Sequence, residues 1–242
     1  MSAGSRGFLR RLRSFAAARF PALRRLSALE HRLRVMGKPT AQVFEEIYNQ
    51  KLWGADASIS GQGSSLEQTE AIRAALPGLL TDLGCRSMLD IPCGDFFWMK
   101  TLDLDIDYTG GDIVTALVAR DQEQFGNERR QFVRLDLAED ALPKVDLILC
   151  RDCLPHLSNV VIQRAIANLK RSGSTYLLTT TFDQRTRNSD ATTGMFRALN
   201  LEIAPFSFGK PLRLIDEKCP TEGHDDKRLG LWKISDLSSS SG

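Results

Sequence analysis

Long apolar runs are missing from this 242-residue chain. The longest candidates are broken by Arg, Asp or Lys before the roughly 20 residues that cross a bilayer, so no membrane span is expected. Cysteine is sparse as well: Cys85, Cys93, Cys150, Cys153 and Cys219 are scattered, odd in number, and sit in a chain without a secretory apolar region. That excludes a disulfide scaffold and points to free thiols in a reducing compartment, the cytoplasm. Internal repeats are absent, and low complexity is confined to 238–242, a tail expected to be disordered. The length allows one domain with extensions and does not demand two.

A strong excess of either charge is also lacking, since the net charge is +2. The balance hides an asymmetry, because residues 1–38 hold ten Lys or Arg against Glu30 alone and leave a net −7 on the other 204. A mildly acidic body excludes nucleic acid as an expected partner. The basic segment 1–40 has apolar residues at helical spacing from Phe8 to Leu33, divided by Pro21, and reads as two amphipathic helices. Three roles stay open for it: a helical extension packed on the body or on a second subunit, contact with an anionic membrane surface, and organellar import. The sequence does not set the oligomeric state.

The body, 41–237, opens with a short helix near 43–50 and then LWGADASISGQGSS, 52–65, whose small residues suit either a mobile cover over a site or a flexible connector. Ser65 and Gln68 form a capping-box pattern, so a helix is expected from Ser65 to Leu76, with Pro77 opening a continuation to Leu83. Strand patterns follow at 88–91, 107–110, 130–135, 145–150, 175–181, 212–217 and 229–234, with helices at 96–102, 114–125 and 160–170. This β/α alternation ending in a strand pair predicts an α/β fold, a doubly wound Rossmann-like sheet with helices on both faces.

Three acids end three successive strands: Asp90 in LDIPCGD, Asp112 in YTGGDI and Asp136 in RLDL. Singly each suits a helix cap or a solvated turn; together they point to one crevice at the carboxyl edge of the sheet. Asp112 lies where a carboxylate accepts from both hydroxyls of a ribose, and Asp136 where an adenine amine is held. A dinucleotide needs Gly-x-Gly-x-x-Gly for its pyrophosphate, and those three positions here are Pro92, Gly94 and Phe97. Asp95, at the turn, repels phosphate as well. The pattern suits a ligand without phosphate and with a positive end, which describes S-adenosyl-L-methionine.

With these motifs the sequence resembles the class I S-adenosylmethionine-dependent methyltransferases, in the variety whose first motif reads D-x-P-C-G-D. The resemblance runs from about Trp53 to Ile234 through LDIPCGDFFWM, YTGGDI, RLDL and CRDCLPHLS. It implies a seven-stranded sheet with an antiparallel last strand. It also implies that Asp90 and Gly94, with Pro92 and Asp95 in the same turn, border the methionine end of the cofactor, Asp112 the ribose and Asp136 the adenine. Pro92 stands where glycine is commoner. Trp53 and Gly54, with Ser58, Ser60, Gly61, Gly63 and Ser64, look like the variety's amino-terminal cover.

The fourth strand ends in Cys150-Arg-Asp-Cys-Leu-Pro-His156. Methyl transfer is an in-line displacement that needs alignment and exclusion of water, plus a base when the nucleophile carries a proton. His156 is the candidate base, and Asp152 either orients it, takes its place or contacts the cofactor; packing or helix capping is the alternative role for His156. Cys150, Cys153 and His156 imitate zinc spacing, but a fourth ligand is missing nearby, so no metal is expected. The loop lacks the N/D-P-P-Y pattern of amino-group methylation and the Pro-Cys nucleophile of cytosine methylation, which favours a hydroxyl acceptor. The polar insertion 182–201 offers Asn188, Asp190 and Arg197 as contacts for a small molecule or a glycan, including a lipid-linked saccharide, or else is a solvated loop. A second overall reading is a cofactor-binding protein of the same fold that acts as a non-catalytic subunit or regulator.

Overall fold

Seven strands form one sheet in the order β3-β2-β1-β4-β5-β7-β6. The computed structural model describes residues 30, 33–54 and 58–237. Two compact units divide it, Met1–Lys38 and Pro39–Gly242. The two basic helices expected before Lys38 and the tail 238–242 lie outside the described residues, apart from 30 and 33–38. In the first unit residues 33–35 are helical and Leu33 and Met36 are exposed. Among the described residues no helix is long and apolar enough to cross a membrane.

The second unit runs α1 (Thr40–Asn49), α2 (Glu70–Leu83), β1 (Ser87–Asp90), β2 (Asp107–Asp112), α3 (Thr115–Phe125), β3 (Arg130–Arg134), β4 (Leu147–Cys150), α4 (Asn159–Arg171), β5 (Tyr176–Phe182), β6 (Arg213–Asp216) and β7 (Lys227–Lys233). β1 is parallel to β2 and β4, β2 to β3, and β4 to β5, whereas β7 is antiparallel to both β5 and β6. Strand order reverses at β1 and β4, so a crevice opens outside their carboxyl ends. All four residues of β4 are buried, as a central parallel strand requires. Its side chains alternate between two cores: Leu147 and Leu149 face α2, and Ile148 and Cys150 face α4.

Two expectations about helices are corrected. The expected helix at 96–102 is only a 3-10 turn, Met99–Thr101. Gly94 and Phe96 both have positive φ, +58° and +55°, which breaks a right-handed helix at its start. The Phe96 ring packs instead among Tyr108, Phe125 and Phe132, with centroids 5.0–5.3 Å away.

The second correction concerns the helix expected from Ser65. The Gln68 amide does donate to Ser65 Oγ at 3.2 Å, but that contact closes a turn and the α-helix begins at Glu70. It then runs unbroken through Pro77. An interior proline costs about 3 kcal/mol. Ile72, Leu76, Leu79 and Leu80 on the buried face each contribute about 1.5–3 kcal/mol, so packing outweighs the break.

Candidate active site

The turn after β1 closes on protein acceptors. The Cys93 amide donates to Gly111 O at 2.8 Å, the Gly94 amide to Asp112 Oδ2 at 3.2 Å, and the Asp95 amide to Ser60 Oγ at 3.0 Å. Glycine is required at 94, because a Cβ there would lie 2.3 Å from Ser60 Oγ. The segment 58–64 therefore sits directly on the turn. Asp95 holds it, accepting from Ser58 Oγ at 2.9 Å, the Ile59 amide at 2.9 Å and Ser60 Oγ at 3.3 Å. Arg151 holds the far end, donating from Nη1 to Gly63 O at 2.8 Å. The small residues of this segment thus form a pinned cover.

Beneath the cover lies a cavity of about 1140 Å³, its open mouth included. Asp90, Pro92, Gly94, Asp112, Asp136, Trp53, Asp152 and His156 all line it. Asp112 also accepts from the Val114 amide at 3.0 Å, Asp136 from the Ala138 amide at 2.9 Å, and Asp90 from the Tyr108 hydroxyl at 2.8 Å. Burial raises the Asp90 carboxyl to about 7, against the Tyr108 hydrogen bond, and the Asp112 carboxyl to about 6, against its backbone donors. Both folded-state values exceed the unfolded ones near 4, so the stability these groups contribute is present below about pH 4 and is lost as pH rises through 6 to 7. A cationic ligand would reverse this penalty.

The loop after β4 is built on buried charge. Arg151 Nε lies 2.6 Å from Glu217 Oε1, and Lys227 Nζ lies 2.7 Å from Asp152 Oδ2 and 3.3 Å from Glu217 Oε2. Arg151 Nη1 reaches Asp152 Oδ2 at 3.2 Å. Two cations and two carboxylates close a neutral ring. Lys227 and Arg151 hold the Asp152 carboxyl well below the ordinary range, in spite of burial. Asp152 has a φ of +53°, an uncommon conformation for a residue with a side chain, and its amide is fixed by Thr180 Oγ1 at 2.8 Å.

His156 stands beside this ring with its imidazole 4.9 Å from the Trp53 ring centroid. Burial lowers its pKa to about 4, with Lys227 and Arg197 adding to the effect and Asp152 opposing it, so the ring is neutral at pH 7. Its Nδ1 is buried without a hydrogen-bond partner.

Four predicted contacts are not brought to the cavity wall. Asp95 engages the cover as described. The Asn188 side chain amide donates to Asn200 O and Ala204 O, and Asp190 accepts from the Asn159 and Ala191 amides. Buried Arg197 donates to Ser189 O, Leu154 O, Pro155 O and Asn159 Oδ1, buttressing the loop that carries His156. Their capacity for hydrogen bonding serves the scaffold.

Other residues of the site escaped the sequence reading. Phe44 and Tyr48 of α1 line the cavity, and Glu217 and Lys227 reach the Arg151 loop from 66 and 75 residues away. Only Arg151, inside the CRDC motif, carried a local signal. All five cysteines are free. Among the described residues no group of three or more His, Cys, Asp or Glu is placed to hold a metal.

The sheet order, the antiparallel β7 and the crevice at the carboxyl ends of β1 and β4 make up the Rossmann-like fold of the class I S-adenosylmethionine-dependent methyltransferases. Solved structures agree. The chain is similar to the 1,6-didemethyltoxoflavin-N1-methyltransferase of Burkholderia thailandensis, solved with 1,6-didemethyltoxoflavin and S-adenosylhomocysteine, at 17% identity over 80% of this chain and 86% of that one, TM-score 0.56. It is also similar to the N-methyltransferase NodS of Bradyrhizobium japonicum WM9 with S-adenosylhomocysteine, at 15% identity over 81% and 98%, TM-score 0.55. Against the methyltransferase domain of bacterial CtHen1 the chain spans just under two thirds of that chain's length, 47% of this chain on 66% of that one, at 14% identity and TM-score 0.42. No protein-family model and no curated protein matches the sequence.

Proposed function

We propose that the chain is an S-adenosylmethionine-dependent methyltransferase of the D-x-P-C-G-D variety, acting on a hydroxyl oxygen of a small molecule. One observation carries the choice of cofactor. The amides of Cys93, Gly94 and Asp95 are already satisfied by protein oxygens, so the turn offers no free donors to a pyrophosphate. Around it stand Asp90, Asp112 and Asp136, acceptors suited to hydroxyls, an amine and a positive charge.

When bound, the cofactor supplies a methyl group on a sulfonium. Asp112 would hold the ribose through the lone pairs its backbone donors leave open, Asp136 the adenine side, and Asp90 and Gly94 the methionine end. The pinned cover excludes water, and Asp152 and His156 border the place where an acceptor oxygen arrives. His156, neutral and in the cavity wall, is the acceptor for its proton.

Calorimetry tests the reading. S-Adenosylhomocysteine is expected to bind and NAD not to bind; tight binding of NAD alone overturns the proposal. Because S-adenosylmethionine carries the sulfonium charge that S-adenosylhomocysteine lacks, its binding should lower the raised Asp90 and Asp112 pKa values and release protons near pH 6, and at pH 8 almost none. Titration in two buffers of different ionisation enthalpy reads this directly, and equal heats at pH 6 contradict it. His156→Ala should bind S-adenosylhomocysteine normally and lose about 10²–10⁴-fold in turnover with any accepted substrate. Unchanged turnover removes His156 as the base. Binding without transfer to any acceptor would favour the non-catalytic subunit.

A further inference from the structure

We propose that the acceptor is a planar aromatic hydroxyl compound, a phenol of one or more rings, seated against a row of aromatic side chains that leads out of the cavity. The proposal rests on the methyltransferase reading and names the substrate class for the same site.

The row begins in the cavity wall and ends in solvent. Phe44 and Trp53 have centroids 5.8 Å apart, Trp53 and His156 4.9 Å, His156 and Phe196 5.4 Å, and Phe196 and His224 5.2 Å. Phe44, Trp53 and His156 line the cavity, and Phe196, beyond it, is 44% exposed. A large ring left in water beside a cavity is placed for stacking, which is worth about 0.5–1.5 kcal/mol beyond area burial.

The charged and amide side chains of the insertion and of the Asp152 loop that a polyol would use are otherwise engaged. Asn188, Asp190 and Arg197 bond to the protein, and Asp152 is tied to Lys227 and Arg151. A site that binds a saccharide must present convergent unsatisfied donors and acceptors. Beyond its acids and Arg151, the cavity wall offers the hydroxyls of Thr40, Tyr48, Ser60 and Ser64 and the His156 imidazole among the described side chains, set between aromatic and aliphatic groups.

The available base points the same way. A neutral imidazole whose pKa is held near 4 is a weak acceptor for the proton of an aliphatic alcohol. A phenol ionises near pH 10, as tyrosine does, and demands far less of it. In the transfer the hydroxyl proton passes to the His156 imidazole, and from it to bulk water once the products leave. The oxygen keeps its electron pair and bonds to the methyl carbon, while the pair of the broken carbon–sulfur bond stays on sulfur, giving the thioether.

The test uses the full chain saturated with S-adenosylhomocysteine and titrated with catechol, 2-naphthol and a flavonol on one side and methyl glucoside and sucrose on the other, followed by tryptophan quenching and calorimetry. We expect saturable binding of at least one phenol and none of either sugar. Phe196→Leu keeps an apolar side chain but removes the ring, and should weaken the phenol about three- to tenfold while leaving S-adenosylhomocysteine affinity within twofold. Binding of the sugars alone, binding of no probe, or a phenol affinity unmoved in Phe196→Leu overturns the proposal. A phenol that binds in the expected way to protein that takes up no S-adenosylhomocysteine upholds the aromatic site and removes the methyltransferase reading, so the two failures are distinguishable.

Discussion

Asp112→Ala should lose S-adenosylhomocysteine binding by more than about 100-fold while the protein stays folded. The side chain does two things at the end of β2. Its oxygens accept the Gly94 and Val114 amides, which fixes the turn after β1, and the carboxylate lines the cavity with acceptor capacity left over. A charge-assisted hydrogen bond contributes about 1.5–3 kcal/mol, so two bonds to a ribose diol exceed the roughly 2.7 kcal/mol that corresponds to 100-fold. The two freed amides border an open cavity where water can satisfy them, so the loss of stability should be only about 1–2 kcal/mol. Asp112→Asn, which keeps one acceptor oxygen, should fall between wild type and Asp112→Ala. Calorimetry beside a thermal melt separates the effects. Normal binding by a folded Asp112→Ala protein removes the ribose assignment.

That Asp112 can be singled out from sequence reflects the physics of parallel sheets. Short buried strands have a recognisable apolar pattern, and the crevice at their carboxyl ends gives the first acid after each strand a position as well as a chemistry. Asp90, Asp112 and Asp136 reach one cavity for that reason. Asn188, Asp190 and Arg197 had no such constraint. A polar side chain in sequence declares that it can hydrogen-bond and is silent about its partner, and here the partners are the backbone of the insertion and of the His156 loop. Asp95 illustrates the same point from the other side. Its charge was legible, whereas its bonds to Ser58, Ile59 and Ser60 depend on a segment more than thirty residues away. Phe96 was misjudged through local propensity, since only the aromatic cluster explains why a phenylalanine accepts a positive φ.

The ion ring around Arg151 was the least legible feature, and it should give the largest loss of stability on substitution. Lys227→Met removes one cation from a set of two cations and two carboxylates, and the Lys227 and Glu217 side chains are only 6% and 1% exposed. Glu217 keeps Arg151 at 2.6 Å, but Asp152 loses its nearest partner and the ring is left with a net negative charge. Breaking a buried pair from one side costs about 3–5 kcal/mol. For a domain of this size that corresponds to a fall of roughly 6–20 °C in melting temperature. The double variant Lys227→Met with Glu217→Met restores neutrality and should lose less than the sum of the two single changes. The pH dependence has a defined sign. Asp152 is held below its unfolded value by Lys227 first and Arg151 second, so its contribution is present above about pH 4 and is lost as pH falls through the depressed folded value. Lys227→Met should therefore be most deficient at pH 7 and approach wild type in acid. Urea unfolding at pH 7 and near pH 3 measures both. A deficit under about 1 kcal/mol at pH 7 would mean that solvent screens the ring as it does a surface pair. A deficit independent of pH would mean that Lys227 acts by the packing of its methylenes rather than by its charge.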